Sequence, residues 1–217
     1  MSLAQDGDPK EMTRIEAFSD GVFAIAVTLL VLELKVPHLD EGATSARLAR
    51  ALLDQWPSYA AFLTSFATIL VMWINHHGVF KLVRRPDSLF MFANGFLLLF
   101  VTVVPFPTAL VAAYLTRSGA DVAVAVYCGT YVMLSIAYNL LWRAASHRRR
   151  LLKASVTDEQ VRRIGRNYLL GLPVYLAATM LAFVNAYAAM AVCSSLWILW
   201  ARMSYEKSDP SASRVQP

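Results

Sequence analysis

One run, residues 14–33, is apolar in all but a few places, and those few places decide its surroundings. Arg14 and Glu16 stand at its entrance, Ser19 and Asp20 lie in its first third, and Glu33 closes it. An ionisable group at membrane depth costs at least about 2.5 kcal/mol unless it faces protein or water. A helix turned to lipid on all sides would not carry Asp20. This run is therefore the least lipid-like of the long apolar stretches, and the one best suited to being surrounded by other helices.

Two helix starts compete. Ser19-Asp20-Gly21 reads as a turn or cap. Upstream, Thr13-Arg14-Ile15-Glu16 has the form of a capping box, with Thr13 as N-cap and Glu16 three positions on. The early start makes the length work: residues 14–36 are 23 in number, enough to cross a bilayer at about 1.5 Å per residue. On such a helix, about 100° per residue sorts the side chains. Ile25, Leu29 and Leu32 share one narrow stripe with Thr28 at its edge, and Phe18 and Val22 continue it toward the start. Periodicity leaves two readings of that stripe open, packing surface or pore lining.

The rest of the chain is also membrane-like. Of 217 residues, 57% are hydrophobic and 16% charged, with a mean hydropathy of +0.47; a helical membrane protein needs that much apolar residue and a soluble core does not. The net charge of +5 is read as positive cytoplasmic loops, because the basic residues flank the apolar runs and no nucleic-acid motif is present. Cys128 and Cys193 lie in apolar segments and read as reduced packing residues. The first 12 residues are polar with no basic stretch, so no secretory signal is expected there.

Six spans are expected, at residues 14–36, 56–80, 89–115, 122–142, 158–184 and 187–203. A short interfacial helix is expected over 45–53, a kink at Pro105 and Pro107, a second capping box at Thr157–Gln160, and a tight turn near Asn185. Residues 204–217 read as a polar, disordered tail, which leaves 1–203 as a single membrane domain. Six spans put 16 of the 20 basic residues on the side holding both termini. The positive-inside rule makes that side cytoplasmic.

The second span ends in Trp73, His76, His77 and Phe80 on one face, level with Arg14, Phe18, Ser19 and Asp20. Polar groups at that depth should satisfy one another, so a hydrogen-bond network of Arg14, Ser19 and Asp20 with Trp73, His76 or His77 is expected; the alternative is a solvated, interfacial His pair. The two histidines point about 100° apart on a helix, poor geometry for one metal ion, and no metal or cofactor is expected. Asn94, Asn139 and Asn185 read as helix contacts. No nucleophile–base set converges, so no enzyme activity is expected.

The string Arg14-x-x-x-Phe18-Ser19-Asp20, followed by Gly21-Val22-Phe23-Ala24-Ile25-Ala26 and later Thr28-Leu29-Leu30, resembles the first helix of the transmembrane protein 175 family, specifically its bacterial members. These are potassium-permeable channels with a lysosomal and endosomal relative in animals. The span pattern agrees, so the resemblance covers nearly the whole chain. It implies a homotetramer in the inner cell membrane, with K+ as the conducted ion and four first helices lining the path. Ile25 matches the family's constricting isoleucine, Leu29 and Leu32 the layers above it, and Thr28 a pore-facing threonine. The family is similar in having an Arg, Ser/Asp, Trp and His set behind the pore helix. No T-V-G-Y-G loop is present, so rings of Ile and Leu would gate by narrowing and dewetting. Glu33 at the outer mouth could gather cations, or only pair with Lys35. The competing function is a proton-coupled secondary transporter with Asp20 and His77 as a relay.

Overall fold

The computed structural model describes residues 9–40, 42 and 44–206. Among them every regular element is a helix, and the one β-type pairing is an isolated bridge between Val83 and Leu152. The helices are α1 (Pro9–Leu29), α2 (Ser45–Asp54), α3 (Trp56–Leu82), α4 (Ser88–Val103), α5 (Pro105–Tyr114), α6 (Ala120–Ser146), α7 (Asp158–Ala182) and α8 (Ala186–Glu206).

Helix α1 begins earlier than expected. It already runs from Pro9, the first described residue. Thr13 and Glu16 therefore lie inside the helix, and the capping box read there does not form. Ser19 and Asp20 also sit inside, and the Ser19 hydroxyl donates to the Ile15 carbonyl at 2.9 Å, one turn back. The helix tightens into a 3-10 turn over Leu30–Glu33 and ends in extended backbone at Leu34, short of the expected Val36.

Other boundaries follow local chemistry. Thr44 caps α2, accepting from the Arg47 N–H, and no α2 residue is buried, as suits an interfacial helix. Pro105 supplies no N–H to the Val101 carbonyl; the Val104 N–H takes it instead in a tighter turn, and the apolar run splits there into α4 and α5. The break is braced by polar contacts: Thr108 to the Val104 carbonyl at 2.8 Å, Ser65 to Thr108 at 2.7 Å, and Ser65 to Tyr127 at 3.0 Å. The Thr157–Gln160 capping box forms as expected. Asn185 accepts from the Ala188 N–H at 2.9 Å in the turn before α8. Helix α8 continues through the first three residues of the expected tail; residues 207–217 lie outside the described set.

Helix α6 is the hub, packed against α4, α5, α7 and α8, while α1 lies on α3 and α4. At the basic end two loops are clasped. The Arg84 N–H donates to Leu151 O at 2.7 Å and the Lys153 N–H to Leu82 O at 3.0 Å. Arg150 pairs with Asp87 at 2.6 Å, and Arg149 pairs with Asp158. Arg148 and Arg149 take left-handed backbone there, and the Arg149 guanidinium also reaches the Val156 carbonyl.

Among the described residues, four helical stretches are long and apolar enough to cross a membrane: Glu11–Glu33, Trp56–Leu82, Ser88–Tyr114 and Ala120–Arg149. Helix α7 carries Asp158, Glu159, Arg162, Arg163 and Arg166 in its first nine residues, which shortens its apolar part, and Ala186–Arg202 is a shorter apolar helix.

Candidate functional site

Helix α1 has two unlike faces. The inner one holds Ser19, Phe23, Ala26 and Leu30, all buried and all within about 60° on the helical wheel. Three hydrogen-bonded sets tie it to the neighbours. His76 of α3 donates from Nε2 to the Asn94 Oδ1 of α4 at 2.8 Å, because that oxygen can only accept. Asn94 Nδ2 donates to Ser19 Oγ at 2.9 Å, and Ser19 passes its own proton to Ile15. Separately, Trp73 Nε1 donates to Asp20 Oδ1 at 2.8 Å, and His77 Nδ1 meets Glu16 Oε1 at 2.6 Å. The Trp73 and His77 rings stack, with centroids 6.2 Å apart.

His76 is fully enclosed, between the rings of Phe23 and Phe80 at 5.3 and 4.3 Å. Its Nδ1 has no hydrogen-bond partner among the described residues. His76 and His77 diverge to different partners, Asn94 and Glu16. Asp20 and His77 also take different partners, so the two groups of the expected relay are not bonded to each other.

Two residues expected in the network lie outside it. Arg14 and Phe18 are exposed, on the rim of a depression with Glu11, Met91, Asn94 and Gly95. Arg14 makes no ion pair or side-chain hydrogen bond among the described residues. Sequence reasoning missed Asn94 and Glu16 as partners. Asn94 was expected as a helix contact, which it makes, but not as a member of this set, and Glu16 was absorbed by the capping-box reading.

The outer face of α1 has little cover among the described residues. Ile25 is 59% exposed, Leu29 41% and Leu32 61%, with Thr28 exposed beside them. Only 22% of the α1 apolar window is buried, the least of the four long apolar helices. Thr28 donates to the Ile25 carbonyl at 2.9 Å. Lys35 donates to the Leu32 carbonyl at 2.8 Å rather than to Glu33, and Glu33 has no ion-pair partner among the described residues. Among those residues no group of three or more His, Cys, Asp or Glu is placed to hold a metal ion.

The family model described as the endosomal/lysosomal potassium channel TMEM175 matches residues 14–105, from the second turn of α1 to the kink at Pro105. A protein named as a potassium channel from Chamaesiphon minutus is 49% identical over 93% of this chain and 99% of its own length. One with the same kind of name from Streptomyces collinus is 43% identical over 83% of this chain and 87% of its own. The crystal structure of a lysosomal potassium-selective channel TMEM175 homologue from Chamaesiphon minutus superposes with a TM-score of 0.81 at 48% identity, over 90% of this chain and 98% of that one. With identity of that order across nearly the full length of a relative, and a fold that superposes as closely, the chain belongs to the TMEM175 family.

Proposed function

We propose that this protein is a potassium-permeable channel of the inner cell membrane, assembled as a homotetramer with the outer face of α1 lining a central path. The observation that carries the reading is the division of α1. Its inner face is fastened to α3 and α4 by hydrogen bonds, while Ile25, Thr28, Leu29 and Leu32 stand exposed on a helix with little cover from its own chain. Four copies turned inward would place a ring of Ile25 at the narrowest point, with Leu29 and Leu32 as layers beyond it. Such rings offer no oxygen ligands to replace a hydration shell. They conduct when wide enough to stay wet and close when they dewet. Glu33, with no ion-pair partner among the described residues, raises the local cation concentration at the mouth.

In this reading the chain crosses the bilayer six times, with α4–α5 as one broken span and α7 and α8 as the last two, and residues 1–203 form one channel unit. Both termini are cytoplasmic, since 16 of 20 basic residues then lie on that side. The Ser19, Asp20, Trp73, His76 and His77 contacts are scaffold: they fix the rotation of α1 so that its apolar stripe points away from its own protomer. Arg14 and Phe18, exposed at the same end, lie where neighbouring protomers meet.

The test is flux from reconstituted vesicles with potassium, caesium or sodium and no proton gradient. Potassium efflux down its own gradient is expected. Transport that runs only when a proton gradient is imposed would replace the channel with a coupled carrier.

A further inference from the structure

The basic end of the molecule divides its cations into two groups. Arg149 and Arg150 are spent on Asp158 and Asp87 in the loop clasp. Lys81 at the end of α3 and Arg163 in the second turn of α7 have no carboxylate or hydrogen-bond partner among the described residues, and both are exposed. They stand on opposite sides of a cavity of about 300 Å³ between α3 and α7. Helix α7 packs on α6 and α8, and α3 on α1, α5 and α8, so this gap is left by the packing. Its mouth carries Lys81, Arg163 and Gln160, and its walls are Ile74, Leu82 and Tyr168. On α3, Ile74 and Leu70 stay exposed one turn apart, continuing the apolar wall away from the cations.

We propose that this crevice binds one acidic phospholipid of the cytoplasmic leaflet, its phosphate between Lys81 and Arg163 and its chains along Ile74 and Leu70. Two cations without a partner among the described residues, beside an apolar wall, form a half-completed site: the anion that completes it must bring its own apolar body. A soluble phosphate would satisfy the charges and leave Ile74 and Leu82 uncovered; a zwitterionic lipid would cover them and bring its own ammonium to the cations. Basic pockets between membrane helices on the cytoplasmic side bind such headgroups. The inference rests on the cytoplasmic placement of this end of the bundle, and not on the pore. Lost potassium flux with lipid binding intact would strike the pore alone.

Native mass spectrometry of the full-length protein, released from detergent with added phosphatidylglycerol or phosphatidylcholine, decides it. One phosphatidylglycerol per chain is expected to be retained in preference to phosphatidylcholine by on the order of tenfold, the discrimination two cations give against a neutral headgroup. Lys81→Gln with Arg163→Gln should bring the two lipids level. Gly78→Leu is the second variant: it lines the cavity, and a Cβ there meets no atom within 4 Å, so leucine fills the crevice with both charges kept. It should also release the lipid. Equal retention of both lipids by the wild type, or undiminished phosphatidylglycerol on the double variant and on Gly78→Leu, would overturn the proposal. So would displacement of the lipid by an equal concentration of glycerol phosphate, which would mark a site for a soluble anion.

Discussion

Helices α1 and α6 are both long and apolar, yet they are built for different surroundings. Half of the α6 apolar window is buried inside the chain, against 22% for α1. Helix α6 buries Leu134, Ala137, Leu141 and Ala145 among its neighbours; its polar contacts are spread along it, at Tyr127, Tyr138 and Asn139. Helix α1 gathers its polar contacts near one end, at Glu16, Ser19 and Asp20, and leaves an apolar stripe uncovered beyond them. The difference teaches what to look for in such a chain. A helix held by a few directional bonds and bare elsewhere is positioned for something outside its own protomer.

Substitutions on the two sides should separate accordingly. The largest effect is expected on the held face of α1. Asn94→Leu strands the buried His76 Nε2–H, and the loss should be about 3 kcal/mol, combining a lost hydrogen bond with an unsatisfied donor. Thermal melting of the detergent-solubilised protein measures it. Adding His76→Phe should recover part of the loss, because replacing both partners removes the orphan. No recovery would show that Asn94 acts through shape alone. On the α6 side, Gly171→Val should cost about 2 kcal/mol by overpacking. A Cβ at Gly171 meets Ser135 Oγ and the Trp200 ring at 3.0 Å, where α7 passes α6 and α8. A neutral result would mean that this junction yields more readily than the packing around α6 implies.

Much of the scaffold was legible because its signals are local. Thr157 and Gln160 cap each other three residues apart, Asn185 caps the helix it precedes, and Pro105 breaks a run by withholding its own N–H. The α1 start was misread because Thr13-x-x-Glu16 has the spacing of a capping box, a local signal that a longer helix running through it from Pro9 also carries. The hydrogen bonds behind α1 were legible only in part. Ser19, Asp20 and the Trp73–His77 face stood out as polar groups with nowhere to go. Asn94 did not, because its partners lie 18 and 75 residues away and no periodicity links them. The exposed seam of Ile25, Leu29 and Leu32 was visible as a stripe, but a stripe has the same spacing whether it meets a neighbour, lipid or water.

Ile25→Asn sharpens that last point. It lies on the uncovered face, so melting of the protomer should change by no more than about 0.5 kcal/mol. Flux should rise by about tenfold, the change that about 1.4 kcal/mol off a barrier produces, because an amide ring wets more readily than an aliphatic one, and discrimination of potassium over sodium should weaken. Vesicle flux with the two ions reads both. A melting loss like that of Asn94→Leu with unchanged flux would move Ile25 to the packing side of the comparison.

The smallest expected effect lies at the far end of the same face. Glu33 has no cationic partner among the described residues, and Lys35 donates to the Leu32 carbonyl. If four such carboxylates ring an opening, they act on ions at a distance, and that action depends on screening. The screening length is about 30 Å at 0.01 M salt and about 3 Å at 1 M. Glu33→Gln should therefore lower potassium conductance by about twofold in dilute salt and leave it unchanged in concentrated salt. Planar-bilayer recording at the two concentrations tests the sign and the dependence together. Loss that is equal at both would show a local structural role for Glu33, because a purely long-range field cannot survive a tenfold shorter screening length.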